Sequence, residues 1–450
     1  MISQSLGSSK KIAVSFVLAI AILTVVDTTI VGFLAFSNTE LPTAYYLVIF
    51  VCMFIIFAIS GSILIIVTNT STLKRPKIVA RWLSIVMYIV LVTLLAIIFS
   101  ITLQMIFLNN YQIQLLKIAN YVTLVSTLFF LGYLNAKLVK WIKANKNLML
   151  ISYTVSFSLL CIYLIVFCAY LAFQLNSLEQ LIGNIRVPVS FHFSLTSPPA
   201  AGLQIMFGPI LDALSLGSFL SAWVATAVLL RQYRQRMGKL KYWSLMIAPL
   251  VYFLFPFGTY FINISEELMA NSPVLFSIIY VSVFSATKQV GGILFSMVFL
   301  TAAALVNRTE LRKHLIIAAI GISILFGCIG ANSILYAIYP PFGLITISFL
   351  PVGAYLLFNG IYGSAKQISE DTELRKKLHK SAENQISLLK TIGVTQMETE
   401  LLKRFKPALA KAEALQESKE EQLEKEDVKL LIRDVLKEIE SRRKLSFSKE

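Results

Sequence analysis

Residues 79–108, VARWLSIVMYIVLVTLLAIIFSITLQMIFL, decide the fold class of this chain. Arg81 is the only charged residue in the stretch, and the 27 residues that follow it carry no charge. A helix needs about 20 predominantly apolar residues to cross the hydrocarbon core of a bilayer, so the stretch predicts a membrane-spanning helix. Across all 450 residues, 57% are hydrophobic and 14% are charged, against about 25% charged in an ordinary globular chain. We therefore expect an integral membrane protein.

Nine further segments have the same character, which gives ten predicted spans. Their approximate bounds are 12–36, 45–67, 79–108, 118–140, 148–173, 201–230, 242–262, 274–304, 315–338 and 342–364. The expected fold is all-α, with a polytopic transmembrane helical bundle over residues 1–365 and a polar helical tail over residues 366–450. That tail holds 19 of the 40 Lys and Arg residues and 17 of the 24 Asp and Glu residues.

The basic residues of the connections predict the orientation of the bundle. Lys and Arg are retained on the cytoplasmic side of short loops. If the N-terminus is cytoplasmic, eighteen basic residues of the bundle fall on that side and only Lys117 and Arg186 fall on the other. Both termini are thus expected in the cytoplasm. The net charge of +16 then reflects topology and contact with anionic headgroups of the lipid bilayer, so no nucleic-acid partner is expected.

The tail shows apolar stripes at helical spacing. One stripe continues from the last span, and another lies on a helix expected from about Asp427. The first consists of Leu374, Leu378, Ala382, Ile386 and Leu389. Such faces have to be buried, and three arrangements remain open. The helices could pack on one another, form a coiled coil across a homodimer, or bind a cytoplasmic helical partner through residues 366–450.

Three charged residues fall well inside predicted spans, away from their ends, namely Asp27, Asp212 and Lys288. Each charge at mid-bilayer costs at least about 2.5–3.5 kcal/mol, which makes such groups functional candidates. Gln289 follows Lys288 and adds a polar side chain to the same segment. We expect Lys288 to pair with Asp212, because Asp212 follows a helix-breaking Gly-Pro pair ending at Pro209.

Prolines also predict interruptions in other spans. Pro249, Pro256 and Pro351 lie within apolar segments, as Pro209 does. Interrupted helices line the binding sites of many transporters, where freed backbone groups bind the substrate or ion. The alternative is that these prolines cause ordinary kinks in a helical bundle.

The longest outer connection is expected at residues 174–200. Residues 189–195, VSFHFSL, alternate between apolar and polar, which favours a strand or an interfacial segment over a helix. His192 is the single histidine predicted on the outer side and is a candidate for an outward-facing site. The segment could be a lid over an outward cavity or an amphipathic loop on the membrane surface.

A resemblance involves the C-terminal part of the chain. Tyr339-Pro-Pro-Phe-Gly343, Asp371-Thr-Glu-Leu-Arg375 and residues 392–398 resemble an uncharacterised family of polytopic membrane proteins from ammonia-oxidising archaea. The similarity covers roughly residues 339–400. It implies an archaeal plasma membrane and carries no activity with it.

No enzyme signature is present in the sequence. The motifs HExxH and GxSxG and a P-loop are all missing, and the chain contains three histidines in total. We expect neither an enzyme nor a metal or cofactor site. Two functions remain. The first is a sensor or signalling scaffold that couples the bundle to the cytoplasmic tail. The second is a secondary transporter that uses Asp27, Asp212 and Lys288.

Overall fold

The computed structural model consists mainly of long apolar helices. It describes residues 20, 22–24, 26–27, 43–72, 78–144, 148–182, 186–188, 198–231, 238–262, 272, 275, 290–304, 309–329 and 339–370. The helices are α1 (Thr43–Thr72), α2 (Ile78–Leu108), α3 (Ile113–Ala144), α4 (Leu148–Ile182), α5 (Pro198–Leu230), α6 (Lys239–Ile262), α7 (Val290–Ala304), α8 (Thr309–Cys328), α9 (Leu344–Ser348) and α10 (Leu350–Glu370). Two short strands are β1 (Asn110–Gln112) and β2 (Arg186–Pro188).

Seven segments of the described helices are long and apolar enough to cross a membrane. They are Ala44–Ile66, Arg81–Leu108, Ile113–Lys143, Leu148–Gln180, Met206–Leu230, Thr309–Cys328 and Leu344–Gln367. The prediction of an all-α, multi-pass membrane protein is therefore confirmed. Helix α6 coincides with the predicted span 242–262, while the predicted spans 12–36 and 274–304 are described only in part. The total of ten spans stays a prediction.

The outer surface of the bundle is apolar, as contact with lipid requires. Large hydrophobic side chains on the first three helices point away from the core, among them Val48, Ile59, Val92 and Phe107. Within the hydrocarbon core, backbone groups must be satisfied internally while apolar side chains can face outward at no cost. The exposed faces of these helices are thus explained by a bilayer rather than by water.

Helices α8 and α10 form the centre of the bundle. The spanning segment of α8 is 83% buried and that of α9 and α10 is fully buried, against 33–50% for the other five candidate spans. The two central helices meet backbone to backbone. A Cβ atom added at Gly321 would lie 2.4 Å from Leu357 N, and one added at Gly360 would lie 2.4 Å from Ala318 N. Small residues allow such close approach between membrane helices.

The predicted interruptions at Pro209, Pro249 and Pro256 are wrong, because helix α5 continues through Pro209 and α6 contains both Pro249 and Pro256. The span that contains Pro351 is interrupted. Helix α9 ends at Ser348 and α10 begins at Leu350, so the break at Phe349 lies two residues before the proline, which has no N–H to donate.

Strands β1 and β2 form a small antiparallel ribbon. Tyr111 lies opposite Val187, and Gln112 lies opposite Arg186. Helix α4 continues to Ile182, so the outer connection is shorter than the predicted loop 174–200. The alternating segment 189–195 lies outside the described residues. The ribbon joins the α2–α3 and α4–α5 connections, which the charge pattern places on one side of the membrane.

Helices α3 and α4 are also joined by a polar contact near this ribbon. Lys117 donates from Nζ to Asn176 Oδ1 over 2.7 Å and forms an ion pair with Glu179. All three side chains belong to the same end of the helix pair. The contact therefore fixes the antiparallel register of α3 against α4 beside the ribbon.

The last helix crosses the boundary that separates the predicted bundle and tail. Helix α10 continues without interruption from Leu350 to Glu370, five residues beyond the boundary at residue 365. The apolar stripes of the tail, including the one that starts at Leu374, lie outside the described residues. The division into a bundle and a helical tail stays a prediction.

Candidate functional site

The segment before the last span is buried, which is unusual for a connection between helices. Pro340, Pro341, Phe342 and Gly343 are all buried. Gly343 has φ 90° and ψ −27°, in the left-handed region that favours glycine, and it directly precedes α9. Connections normally run over the surface because their backbone polar groups need partners. A buried connection must find those partners inside the protein.

Helices α9 and α10 are nearly one helix. Phe349 separates them but keeps helical dihedral angles of φ −76° and ψ −17°. Its N–H donates to Thr346 O over 3.2 Å, and Gly353 N–H donates to Phe349 O over 2.9 Å. The N-terminus of the last span is therefore at Gly343, and the chain from Leu344 to Glu370 continues with a single kink.

Asp27 caps the N-terminus of this helix. Its Oδ1 accepts a hydrogen bond from Gly343 N–H over 2.9 Å, and its Oδ2 accepts one from the Thr346 hydroxyl. The Asp27 side chain is fully buried. Within the described part of the chain, no cationic side chain bonds to it. We call Asp27, Gly343 and Thr346 the capping junction.

The energetics of the capping junction explain how Asp27 is tolerated. Insertion of a carboxylate at mid-bilayer costs about 2.5–3.5 kcal/mol, and this is an upper limit for Asp27, which lies at the end of the last span. Hydrogen bonds to a charged group contribute about 1.5–3 kcal/mol each, and the positive end of a helix dipole adds to this. Two such bonds offset the cost of insertion. The two hydrogen bonds thus stabilise Asp27, and Asp27 in turn provides the acceptor that the Gly343 N–H and the Thr346 hydroxyl could not find in lipid.

Aromatic side chains enclose the capping junction. Phe342 makes edge contacts with Tyr46 and Phe50 of α1, at ring-centre distances of 6.4 Å and 6.0 Å. Phe349 makes a closer edge contact with Phe57, at 4.8 Å. Helix α1 thus packs along α9 from its start to its end and excludes lipid from the hydrogen bonds of Asp27.

The capping junction is linked to the ribbon through two tyrosines. The rings of Tyr111 in β1 and Tyr339 stack at 6.1 Å, and the Tyr339 hydroxyl donates to Met105 O over 3.4 Å. Burial raises the pKa of both phenols above the ordinary value, so both remain neutral at physiological pH. A movement of the ribbon would therefore reach Gly343 through only four residues of buried chain.

The other predicted site residues are not brought to the capping junction by the described structure. Asp212 lies on α5 and is exposed. Lys288, Gln289 and His192 lie outside the described residues. The proposed pairing of Lys288 with Asp212 stays a prediction.

The sequence marks Asp27 as a candidate but does not indicate its hydrogen-bond partners. Gly343 and Thr346 are more than 300 positions away in the chain, and no local pattern links them to Asp27. One signal was available. A Pro-Pro-Phe-Gly segment directly before an apolar run is typical of a helix start, and a helix start in lipid needs an acceptor for its free N–H groups.

No group of three or more His, Cys, Asp or Glu side chains that could hold a metal ion occurs among the described residues. The chain matches no model of a known protein family, and no curated protein or solved structure is similar to it. The capping junction and the helix that begins there are the features of this structure that bear on function.

Proposed function

We propose that this protein is a sensor or signalling scaffold, in which the state of the capping junction is transmitted to the tail. The observation that supports this is the nearly continuous helix from Leu344 to Glu370, which has Asp27 at one end and the start of the tail at the other. At a rise of about 1.5 Å per residue, this helix is about 40 Å long, enough to cross the bilayer.

The packing of this helix favours movement as a rigid body. Gly360 of α10 lies against the backbone of α8 at Ala318, and Gly353 lies against the Ile324 side chain, so bending at these points would create clashes. A change in the hydrogen bonds of Asp27 would therefore displace α10 along α8 instead of being absorbed locally. Two packed arrangements of the helix pair would give the two states that signalling requires. The tail would report the change by association with itself or with a helical partner.

Hydrogen exchange in the full-length protein tests this coupling. We expect Asp27→Asn, which cannot accept both hydrogen bonds in the same way, to change amide exchange in residues 339–349 and also in residues 371–450. Thr154→Val is the matched control. It removes one buried hydrogen bond, from the hydroxyl to Leu150 O within α4, which contributes no residue to the capping junction or to the ribbon, so exchange in the tail should stay unchanged.

Altered amide exchange at the capping junction with unaltered exchange in the tail would contradict the signalling proposal.

A secondary transporter is the second candidate, and the full burial of the Asp27 carboxylate at a helix terminus favours it. In that case Asp27→Asn should abolish cation or proton uptake into proteoliposomes while leaving exchange in the tail as in the wild type.

We also propose that the chain spans a plasma membrane ten times with both termini in the cytoplasm, in an archaeal host. The ribbon supports the alternation of sides, because it joins two connections, at Asn110–Gln112 and Arg186–Pro188, that the charge pattern assigns to the outer face. Lys117 and Glu179, also assigned to that face, form an ion pair.

Cysteine labelling tests this orientation. Arg186 and Lys143 are both exposed and belong to opposite predicted sides. On intact cells, we expect an impermeant thiol reagent to label Arg186→Cys above the wild-type background and not to label Lys143→Cys. Both variants should react after permeabilisation. The reverse pattern on intact cells would overturn the proposed orientation.

A further inference from the structure

Basic side chains gather where α10 leaves the membrane-spanning segment. Lys137 of α3 places its Nζ 5.7 Å from the ring centre of Tyr362 in α10. Lys313 of α8 and Lys366 of α10 both lie within electrostatic range of His314. Helix α8 begins nearby at Thr309, so the positive end of its dipole adds to the field. Three helices therefore direct positive charge at one place.

Two buried polar atoms at the same place have no hydrogen-bond partner. They are His314 Nδ1 and Gln367 Oε1. The His314 ring lies directly against α10, since a Cβ atom added at Gly363 would be 2.5 Å from Nδ1. Gln367 Nε2 donates to the exposed Glu310 over 3.2 Å, while the Oε1 atom of Gln367 is buried. Buried polar atoms are nearly always paired. His314 Nδ1 faces α10, so Gln367 Oε1 is the atom that a ligand at this place would satisfy.

The chemistry of these groups specifies the ligand. Lysine ammonium groups donate hydrogen bonds, and the His314 ring can donate from its other nitrogen, Nε2, which suits a phosphate oxygen. Gln367 Oε1 can only accept, which suits a hydroxyl group. The spanning segments Ile113–Lys143, Thr309–Cys328 and Leu344–Gln367 each begin or end here, at the depth of the lipid headgroups. Basic pockets between membrane helices at this depth recognise anionic lipids.

We propose that Lys137, Lys313, His314, Lys366 and Gln367 form a headgroup site for an anionic phospholipid whose headgroup carries a hydroxyl group. The phosphate lies among the lysines and His314, and the hydroxyl donates to Gln367 Oε1. Glu310 also lies within electrostatic range of His314, but it is a single exposed carboxylate that accepts from Gln367 Nε2, and the lysines outnumber it. A bound lipid here would stabilise the contact of α8 with α10.

Thermal unfolding in nanodiscs of defined composition tests the headgroup site. We expect the wild type to have a higher Tm in dioleoyl-phosphatidylglycerol than in dioleoyl-phosphatidylcholine, because a ligand that binds only the folded state stabilises it. Lys313→Gln combined with Lys366→Gln should remove most of this difference. The control, Lys143→Gln combined with Lys239→Gln, removes the same charge from exposed positions and should keep the difference.

Two results would overturn the headgroup site. One is an equal loss of the lipid-dependent difference in both double variants, which would indicate unspecific attraction of the lysines. The other is the same rise in Tm when soluble glycerol phosphate is added to phosphatidylcholine nanodiscs, which would indicate a soluble ligand. Native mass spectrometry of the wild type needs no variant. Preferential retention of phosphatidylglycerol is expected, and equal retention of both lipids would contradict the proposal.

Discussion

Asp27→Leu is expected to destabilise the protein strongly. The substitution replaces the carboxylate with a larger, apolar side chain and leaves Gly343 N–H and the Thr346 hydroxyl without an acceptor in a buried place. Each unpaired buried group costs about 1–3 kcal/mol, so the free energy of unfolding should fall by about 3 kcal/mol after the cost of the buried charge is regained. Thermal unfolding in detergent would show this as a lower Tm.

A double-mutant cycle separates the capping role from a general packing effect. Thr346→Val should lower the stability of the wild type, because it removes one hydrogen bond to Asp27. In the Asp27→Leu background the same change should cost much less, because the hydroxyl has already lost its acceptor. Asp27→Asn, which retains an acceptor for Gly343 N–H, should be less harmful than Asp27→Leu. Strictly additive effects of Asp27→Leu and Thr346→Val would mean that the two residues are not coupled.

Gly360→Ala is expected to have an effect of similar size for a different reason. The new Cβ would lie 2.4 Å from Ala318 N and 2.6 Å from Ala318 Cα, and these backbone atoms cannot rotate away. Helices α8 and α10 would have to separate, with a loss of about 3 kcal/mol or failure to assemble. The yield of monodisperse protein and its Tm are the measurements.

Gly132→Ala is the matched control for this prediction. Gly132 also lies within a long helix, α3, but an added Cβ there meets nothing within 4 Å. This change should be neutral or stabilising by about 0.5–1 kcal/mol, because alanine is the better helix former. Ala318→Gly should not rescue Gly360→Ala, since the nearest atoms are backbone. Equal Tm values for Gly360→Ala and Gly132→Ala would show that the close approach is not required.

The apolar runs predicted the helices well, because a helix that crosses a bilayer leaves a long and nearly charge-free stretch, as at residues 82–108. Prolines were weaker guides. Pro209 could be expected to break α5, yet the helix continues, since membrane helices tolerate proline when neighbours satisfy the freed carbonyl. The ribbon could not be predicted, because three-residue strands such as Asn110–Gln112 have no periodicity to detect.

Only the Asp27 side of the capping junction could be predicted from the sequence. Asp27 is conspicuous because a carboxylate in an apolar run is costly, and this marks the residue without naming its partners. The partner atoms are a backbone N–H and a hydroxyl, and neither stands out in composition. The central position of α10 was equally hidden, because its sequence is no more apolar than that of the lipid-facing helices. The role of its glycines, such as Gly353 and Gly360, in close helix packing is visible only when the position of α8 is known.

The pairing of Asp27 with the last span has a consequence for biosynthesis. Gly343 and Thr346 are synthesised long after Asp27 has entered the membrane. Until then the Asp27 carboxylate lacks its final hydrogen-bond partners. Helix α10, whose membrane-spanning part is buried, must then enter a space that earlier helices have left open, or those helices must close around it. Chains truncated before residue 343 would carry an unsatisfied Asp27, a lesion that membrane quality control could recognise. Synthesis of the last span thus completes the assembly of the segment that contains Asp27.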